Sequence, residues 1–145
     1  MRKMKRAIPV VQGLLGLIMV GAGSAKLIGI DLAKKDFERY GYPEWFRFVT
    51  GGIEVIGGLG LLVGLVFAPI LAVFGGMLII ATMIGAILTH LFRVDDPLWR
   101  SVGPAIYLIA GLIVTSSRVL DLVLAIVRPG ETGIAHSDRK GRDYR

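Results

Sequence analysis

Glu54 is the only carboxylate between Arg47 and Arg93, a stretch otherwise made of aliphatic residues, glycine and a few hydroxyl side chains. Its short side chain has no route to water from such a run. It must be paired, protonated or lining a wet cavity, and each of these states makes it a candidate for moving a proton or binding a polar headgroup. Lys26 closes an earlier uncharged run. It either snorkels to lipid headgroups or pairs with Glu54. His90 is the only other ionisable side chain in the stretch that holds Glu54, and Arg100 and Tyr107 follow it. His90 and Tyr107 read more readily as interfacial residues than as ligands. Glu54 and His90 are the catalytic candidates. Lys26, Glu54, His90, Tyr107 and Arg100 are expected together in one intramembrane polar layer near the extracytoplasmic face, an expectation that rests on where the elements place them.

Those elements are apolar helices. From Ala7 to Ala25 no residue is charged, enough to cross about 30 Å of hydrocarbon. A basic start followed by Ala22, Gly23, Ser24 and Ala25 also fits a cleaved signal peptide. The run from Arg47 to Arg93 is about twice a bilayer and must fold back once, at Ala68 and Pro69, where proline disfavours helix in the residue before it. Asp95, Asp96 and Pro97 then break the chain, and a last uncharged run extends from Ser101 to Ser117. The expected fold is all-α, a bundle of four transmembrane helices at about 7–28, 48–67, 70–91 and 101–118. The membrane domain spans 1–127, and a polar, basic tail covers 128–145. Phe37 and Tyr40, three apart among charged residues, predict a short interfacial helix before the turn at Gly41, Tyr42 and Pro43.

Composition agrees with the bilayer as solvent. Of 145 residues 54% are hydrophobic and 19% charged, with a net charge of +6. The basic side chains gather at the ends. Arg2, Lys3, Lys5, Arg6, Arg118, Arg128, Arg139, Lys140, Arg142 and Arg145 fall on one side of a four-crossing topology, against Lys34, Lys35, Arg39, Arg47, Arg93 and Arg100 on the other. That bias predicts a multi-pass protein of the cell membrane with both termini cytoplasmic. The clusters carry almost no aromatic residues, which argues against nucleic acid as a partner. With no cysteine and two histidines, one of them (His136) in the hydrophilic tail, the chain offers no dithiol relay, no thiolate metal site and no bis-histidine haem; no metal and no intrinsic cofactor are expected. The 20 glycines permit close helix contacts, with Gly60 and Gly64, and Ala81 and Gly85, at the small-x-x-x-small spacing. The segment Gly21 to Lys26 lacks the ending of a phosphate loop.

Several short motifs in order carry a resemblance. Ala22, Gly23, Ser24, Ala25, Lys26 and Leu27, then Gly41, Tyr42 and Pro43, then Gly51, Gly52, Ile53 and Glu54 with Gly57, Gly58, Leu61 and Leu62 resemble the DoxX family of small four-helix membrane proteins. Met77, Ala81, His90 and the pair Arg118 and Asp121 are similar too, so the likeness covers about residues 8 to 122. Thr115, Ser116 and Ser117 depart from it, standing where the family often has glycines. The resemblance implies a role near membrane redox chemistry, since the family's namesake is a subunit of a thiosulfate:quinone oxidoreductase. It implies importance for Lys26 and Glu54 but no catalytic role to carry over.

Two readings follow. In one, the protein is an accessory or quinone-linked subunit of a membrane oxidoreductase system, and a redox partner protein supplies the electrons that a chain without haem, flavin or thiols cannot handle alone. In the other, it is a non-catalytic scaffold or a module that handles a small solute or ion. The lipid bilayer is a partner in both, and both leave room for a homo-oligomer.

Overall fold

The computed structural model describes residues 2–94 and 96–127, with side chains from residue 7 onward. The expected tail at 128–145 and Asp95 lie outside the described residues. All regular structure in the described part is helical: α1 (Arg2–Ile28), α2 (Asp31–Arg39), α3 (Glu44–Val66), α4 (Pro69–Leu88) and α5 (Val102–Val127), with a π-helical turn at Thr89–Arg93 and a 3-10 turn at Leu98–Ser101. Four segments are long and apolar enough to cross a bilayer: Ala7–Ile28, Glu44–Val66, Pro69–Arg93 and Leu98–Val127.

The breaks have local causes. After α3, Ala68 is extended at φ −151°, ψ 119°, the conformation that a following proline imposes, and Pro69 opens α4, where its missing N–H costs nothing. α2 ends in the turn at Gly41, whose φ of +68° suits a residue without Cβ. The last helix does not stop near Ser117 but runs to Val127. Arg118 marks no helix end because its guanidinium turns back into the bundle, donating from Nε to Gln12 Oε1 at 2.7 Å.

Helix α3 is the centre of the bundle, and glycine puts it there. A Cβ at Gly23 of α1 would lie 2.5 Å from Gly51 O, and one at Gly58 would lie 2.7 Å from Gly16 O, so α1 and α3 touch backbone to backbone. On the opposite face of α3, a Cβ at Gly64 would fall 2.5 Å from Ala72 N, and Gly75 of α4 lies as close to Gly57 O. Without a hydrophobic drive between helices in lipid, such close approach is what dispersion forces require. Gly60 takes part in the α4 contact, 3.0 Å from Gly75 Cα by the same construction. Gly85 does not: a Cβ there meets nothing within 4 Å, so the Ala81 and Gly85 spacing opens a space rather than closing a seam. Leu15, Met19, Leu61, Ile79, Met83 and Val114 form the buried core.

Candidate membrane-embedded polar site

The end of α1 and the first half of α3 meet at Gly23 and Gly51, which sets the Lys26 side chain against Glu54. Lys26 Nζ donates to Glu54 Oε1 as a hydrogen-bonded ion pair. The Glu54 side chain is 2% exposed and that of Lys26 23%. The pair is therefore lopsided, with a carboxylate fully inside and an ammonium that retains some access outward. Glu54 Oε2 is buried without a hydrogen-bond partner. An unmet acceptor of this kind is costly to keep in the interior unless something other than protein meets it.

The same residue borders a space. Glu54 and Lys26 line a cavity of about 590 Å³ that also takes in Met19, Tyr40, Tyr42, Met83, Thr89, His90 and Tyr107. The volume falls within the range of small-molecule sites, as does the balance of apolar wall and few polar groups. Ala81 and Gly85 belong to this wall, which explains why a Cβ built at Gly85 meets no neighbouring helix. Of the five residues expected together, Lys26, Glu54, His90 and Tyr107 share the cavity lining, and Arg100 does not. The 3-10 turn before α5 leaves Arg100 at an outer depression shared with Asp36, Tyr40, His90 and Trp99, its Nε 3.8 Å from Asp96 Oδ1.

His90 owes its position to the π turn. The wider turn, closed by Val94 N donating to Thr89 O at 3.1 Å, puts His90 in the walls of both the cavity and the outer depression. Its Nδ1 lies 2.8 Å from Asp96 Oδ2, and the ring of Tyr40 meets it edge-on with centroids 5.4 Å apart. Asp96 in turn pairs with Arg39. The Arg39 guanidinium, helped by His90, holds the Asp96 carboxyl below the usual carboxylate range, and Asp96 raises Arg39 further above its ordinary value. Burial pushes the Tyr40 phenol up, with Asp36 adding to it. Arg93 completes the strap by donating Nε to Tyr40 O at 2.7 Å and Nη2 to Gly41 O at 3.0 Å. Tyr42 and Thr89 are joined through their hydroxyls at 3.0 Å. Together these contacts tie α2 and its turn across the outer end of the cavity.

Two further polar groups stand where sequence reasoning did not look. Arg47, counted above as a loop cation, is 2% exposed. Its guanidinium donates to Lys26 O and, at 3.0 Å, to Glu44 Oε1, so a cation satisfies one carbonyl in the last turn of α1. Gln12 is fully buried, donating Nε2 to Leu61 O at 2.7 Å while accepting from Arg118. A single amide in an otherwise apolar run is a weak signal, legible only once Arg118 is known to face it. Among the described residues no group of three or more His, Asp or Glu side chains is placed to hold a metal ion.

Four apolar helices around a cavity with a buried ion pair define a multi-pass integral membrane protein. A model of the DoxX-like family matches residues 10–115, and the chain belongs to that family. It is similar to the uncharacterized protein YdgD of Bacillus subtilis (strain 168), 29% identical over 100 residues that make up 69% of this chain and 87% of the relative. No solved structure matches the chain.

Proposed function

We propose that this protein is a quinone-binding accessory subunit of a membrane oxidoreductase system, seated in the cell membrane with both termini cytoplasmic. The observation that carries the reading is the unpartnered Oε2 of Glu54, a residue that lines a cavity of about 590 Å³ together with Lys26, His90 and Tyr107. A quinone fits such a wall in its reduced form, whose hydroxyl can donate to a carboxylate oxygen from an otherwise apolar body, where a charged or fully hydrophilic solute would lose its hydration without replacement. When bound, a quinone supplies two-electron, two-proton redox chemistry.

The chain's own residues do the rest. Glu54 Oε2 accepts a hydrogen bond, and with it a proton, from a hydroxyl in the cavity. Lys26 fixes Oε1 through its hydrogen bond, leaving Oε2 without a protein partner. His90, with Nδ1 held by Asp96, has Nε2 left for a ligand oxygen. The apolar wall of Met19, Met83 and Ile53 excludes water. Electrons pass to or from a partner protein, because none of these side chains carries them. Orientation is supported by the excess of basic residues on the terminal side.

Mass spectrometry of the lipids retained by detergent-purified protein tests the reading. Wild type should carry a quinone near one per chain, and Glu54→Gln, which keeps shape but replaces an oxygen acceptor and its charge with an amide, should lose most of it. Bulk phospholipid alone in both samples would overturn the reading and leave a scaffold or solute-handling role.

A further inference from the structure

The cavity is closed unevenly, and the unevenness points to how it is reached. α1 with α3, and α3 with α4, meet backbone to backbone through glycine, and α4 closes on α5 where Gly76 meets Thr115 and Gly111 meets Ile80. The ring is completed where α5 returns to α1. That seam is clamped by Gln12 and Arg118, fourteen residues before Lys26 along α1 and so about 21 Å of helix away from it. At the Lys26 end the edges are small. Ala22 and Ala25 of α1 and Pro104 of α5 line the cavity, and a Cβ built on neighbouring Gly21 or Gly103 meets nothing within 4 Å.

The two ways in are not equivalent. The outer end is strapped by the Arg39 and Asp96 ion pair, by Arg93 on the carbonyls of Tyr40 and Gly41, and by Tyr42 on Thr89. Among the described residues the α1–α5 side has no such polar tie at this level, its one hydrogen bond being that of Arg118 to Gln12. Leu32, which lines the cavity, is 68% exposed, and α5 turns apolar residues such as Ile106 and Val102 outward at this level. Ala22 lies four residues inward of Lys26, about 6 Å along the helix axis, at hydrocarbon rather than headgroup depth.

We propose that the α1–α5 seam bounded by Ala22, Ala25, Pro104 and Tyr107 is a lateral portal from the lipid phase, and that the ligand is an amphiphile whose apolar tail lies in it. The inference rests on the quinone reading for the headgroup, and adds that the molecule enters sideways from the bilayer and keeps its tail there. Small residues set the width of the portal, and Tyr107 stands at its inner edge as the residue that selects among tails. A water-soluble ring without a tail gains nothing from the portal.

Two measurements on the full chain in lipid nanodiscs test the portal and its occupant separately. The chain has no native cysteine, so Ala22→Cys and the lipid-facing Ile56→Cys each take a single spin label. A label at Ala22 should be relaxed by oxygen, which concentrates in lipid, to an extent comparable with Ile56, and scarcely by a water-soluble nickel chelate. Protection from both, or stronger relaxation by the chelate, would overturn the portal whatever the ligand. In the second arm, Ala22→Trp and the milder Ala25→Leu are assayed for binding of a decyl-tailed benzoquinone and of the same ring without a tail. Filling the portal should weaken the tailed compound about tenfold while leaving the bare ring within about twofold, since only the tail meets the added volume. Equal losses for both compounds, or none for either, would overturn the tail assignment. Wild type that binds neither compound would sink the quinone reading, with the oxygen measurement still deciding the portal.

Discussion

Removing Lys26 should damage the protein more than removing Lys26 and Glu54 together. The Glu54 side chain is 2% exposed, so in Lys26→Met a full carboxylate stays in the interior with its cation gone. Breaking a buried pair from one side costs about 3–5 kcal/mol. The reverse variant, Glu54→Gln, is milder. Lys26 keeps 23% exposure and a long stem, and can lift its ammonium outward, so the loss is closer to the cost of one hydrogen bond to a charged group, about 1.5–3 kcal/mol. In the double variant neither charge remains and the site holds a methionine and an amide. Its loss should be no greater than that of Glu54→Gln alone, which gives a coupling at least as large as the Lys26→Met loss, about 3–5 kcal/mol, in the double-mutant cycle. For a chain of this size about 3 °C of melting temperature accompanies each kcal/mol, so Lys26→Met should melt about 10–15 °C below wild type and the double variant should recover much of that. Thermal unfolding of detergent-purified protein, followed by fluorescence at one detergent concentration, gives all four values. Additive losses would refute the reasoning, because they would mean that each side chain is stabilised by something other than its partner.

Other consequences follow from the same geometry. Gly23→Leu should abolish assembly of the monodisperse protein on size-exclusion chromatography, since even a Cβ at Gly23 lies 2.5 Å from Gly51 O, whereas Gly21→Leu, which meets nothing within 4 Å, should purify normally. Gln12→Leu should lower the melting temperature by about 6 °C, corresponding to about 2 kcal/mol, because Arg118 loses the acceptor that lets its guanidinium lie within the bundle. Asp96→Asn should weaken the strap of α2 in a pH-dependent way. The folded-state pKa of Asp96 is depressed by Arg39, so its contribution is present above the ordinary carboxylate value of about 3.9 and is lost as pH falls through the lower folded value. Wild type should therefore melt above Asp96→Asn at pH 7, and the two curves should converge under strong acid. His90, Arg100, Asp36 and Tyr40 surround the same carboxylate and are unchanged in that comparison.

What the sequence could and could not say divides along physical lines. Crossing helices are legible because the bilayer demands long uncharged runs, and the Ala68 and Pro69 turn because proline acts on its immediate neighbour. Lys26 and Glu54 stood out because a charge in an apolar run needs a partner, and the structure pairs them. Arg100 is expected in one layer with Lys26, Glu54, His90 and Tyr107. The 3-10 turn at Leu98–Ser101 leaves it outside the cavity wall. The uncharged run predicts a helix from about 48, which leaves Arg47 before it; the helix starts at Glu44, and that one extra turn puts Arg47 under the end of α1. Gln12 carries no charge and so gave no alarm, although burial makes its amide as consequential as an ion. The π turn that aims His90 has no sequence signature at all and comes from the tertiary ties of Thr89, Tyr42 and Arg93.

The account stands or falls on what occupies the space beside Glu54 Oε2. A photoactivatable benzoquinone carrying a short tail, cross-linked to the full chain in nanodiscs and mapped by peptide mass spectrometry, addresses that most directly. The adducts should concentrate on Met19, Met83 and Tyr107, which line the cavity, and should disappear with excess unlabelled quinone and in Glu54→Gln. Adducts spread over the lipid-facing residues Ile56, Phe74 and Ile109 instead, with no competition and no effect of Glu54→Gln, would show that quinone meets this protein only as part of the bilayer.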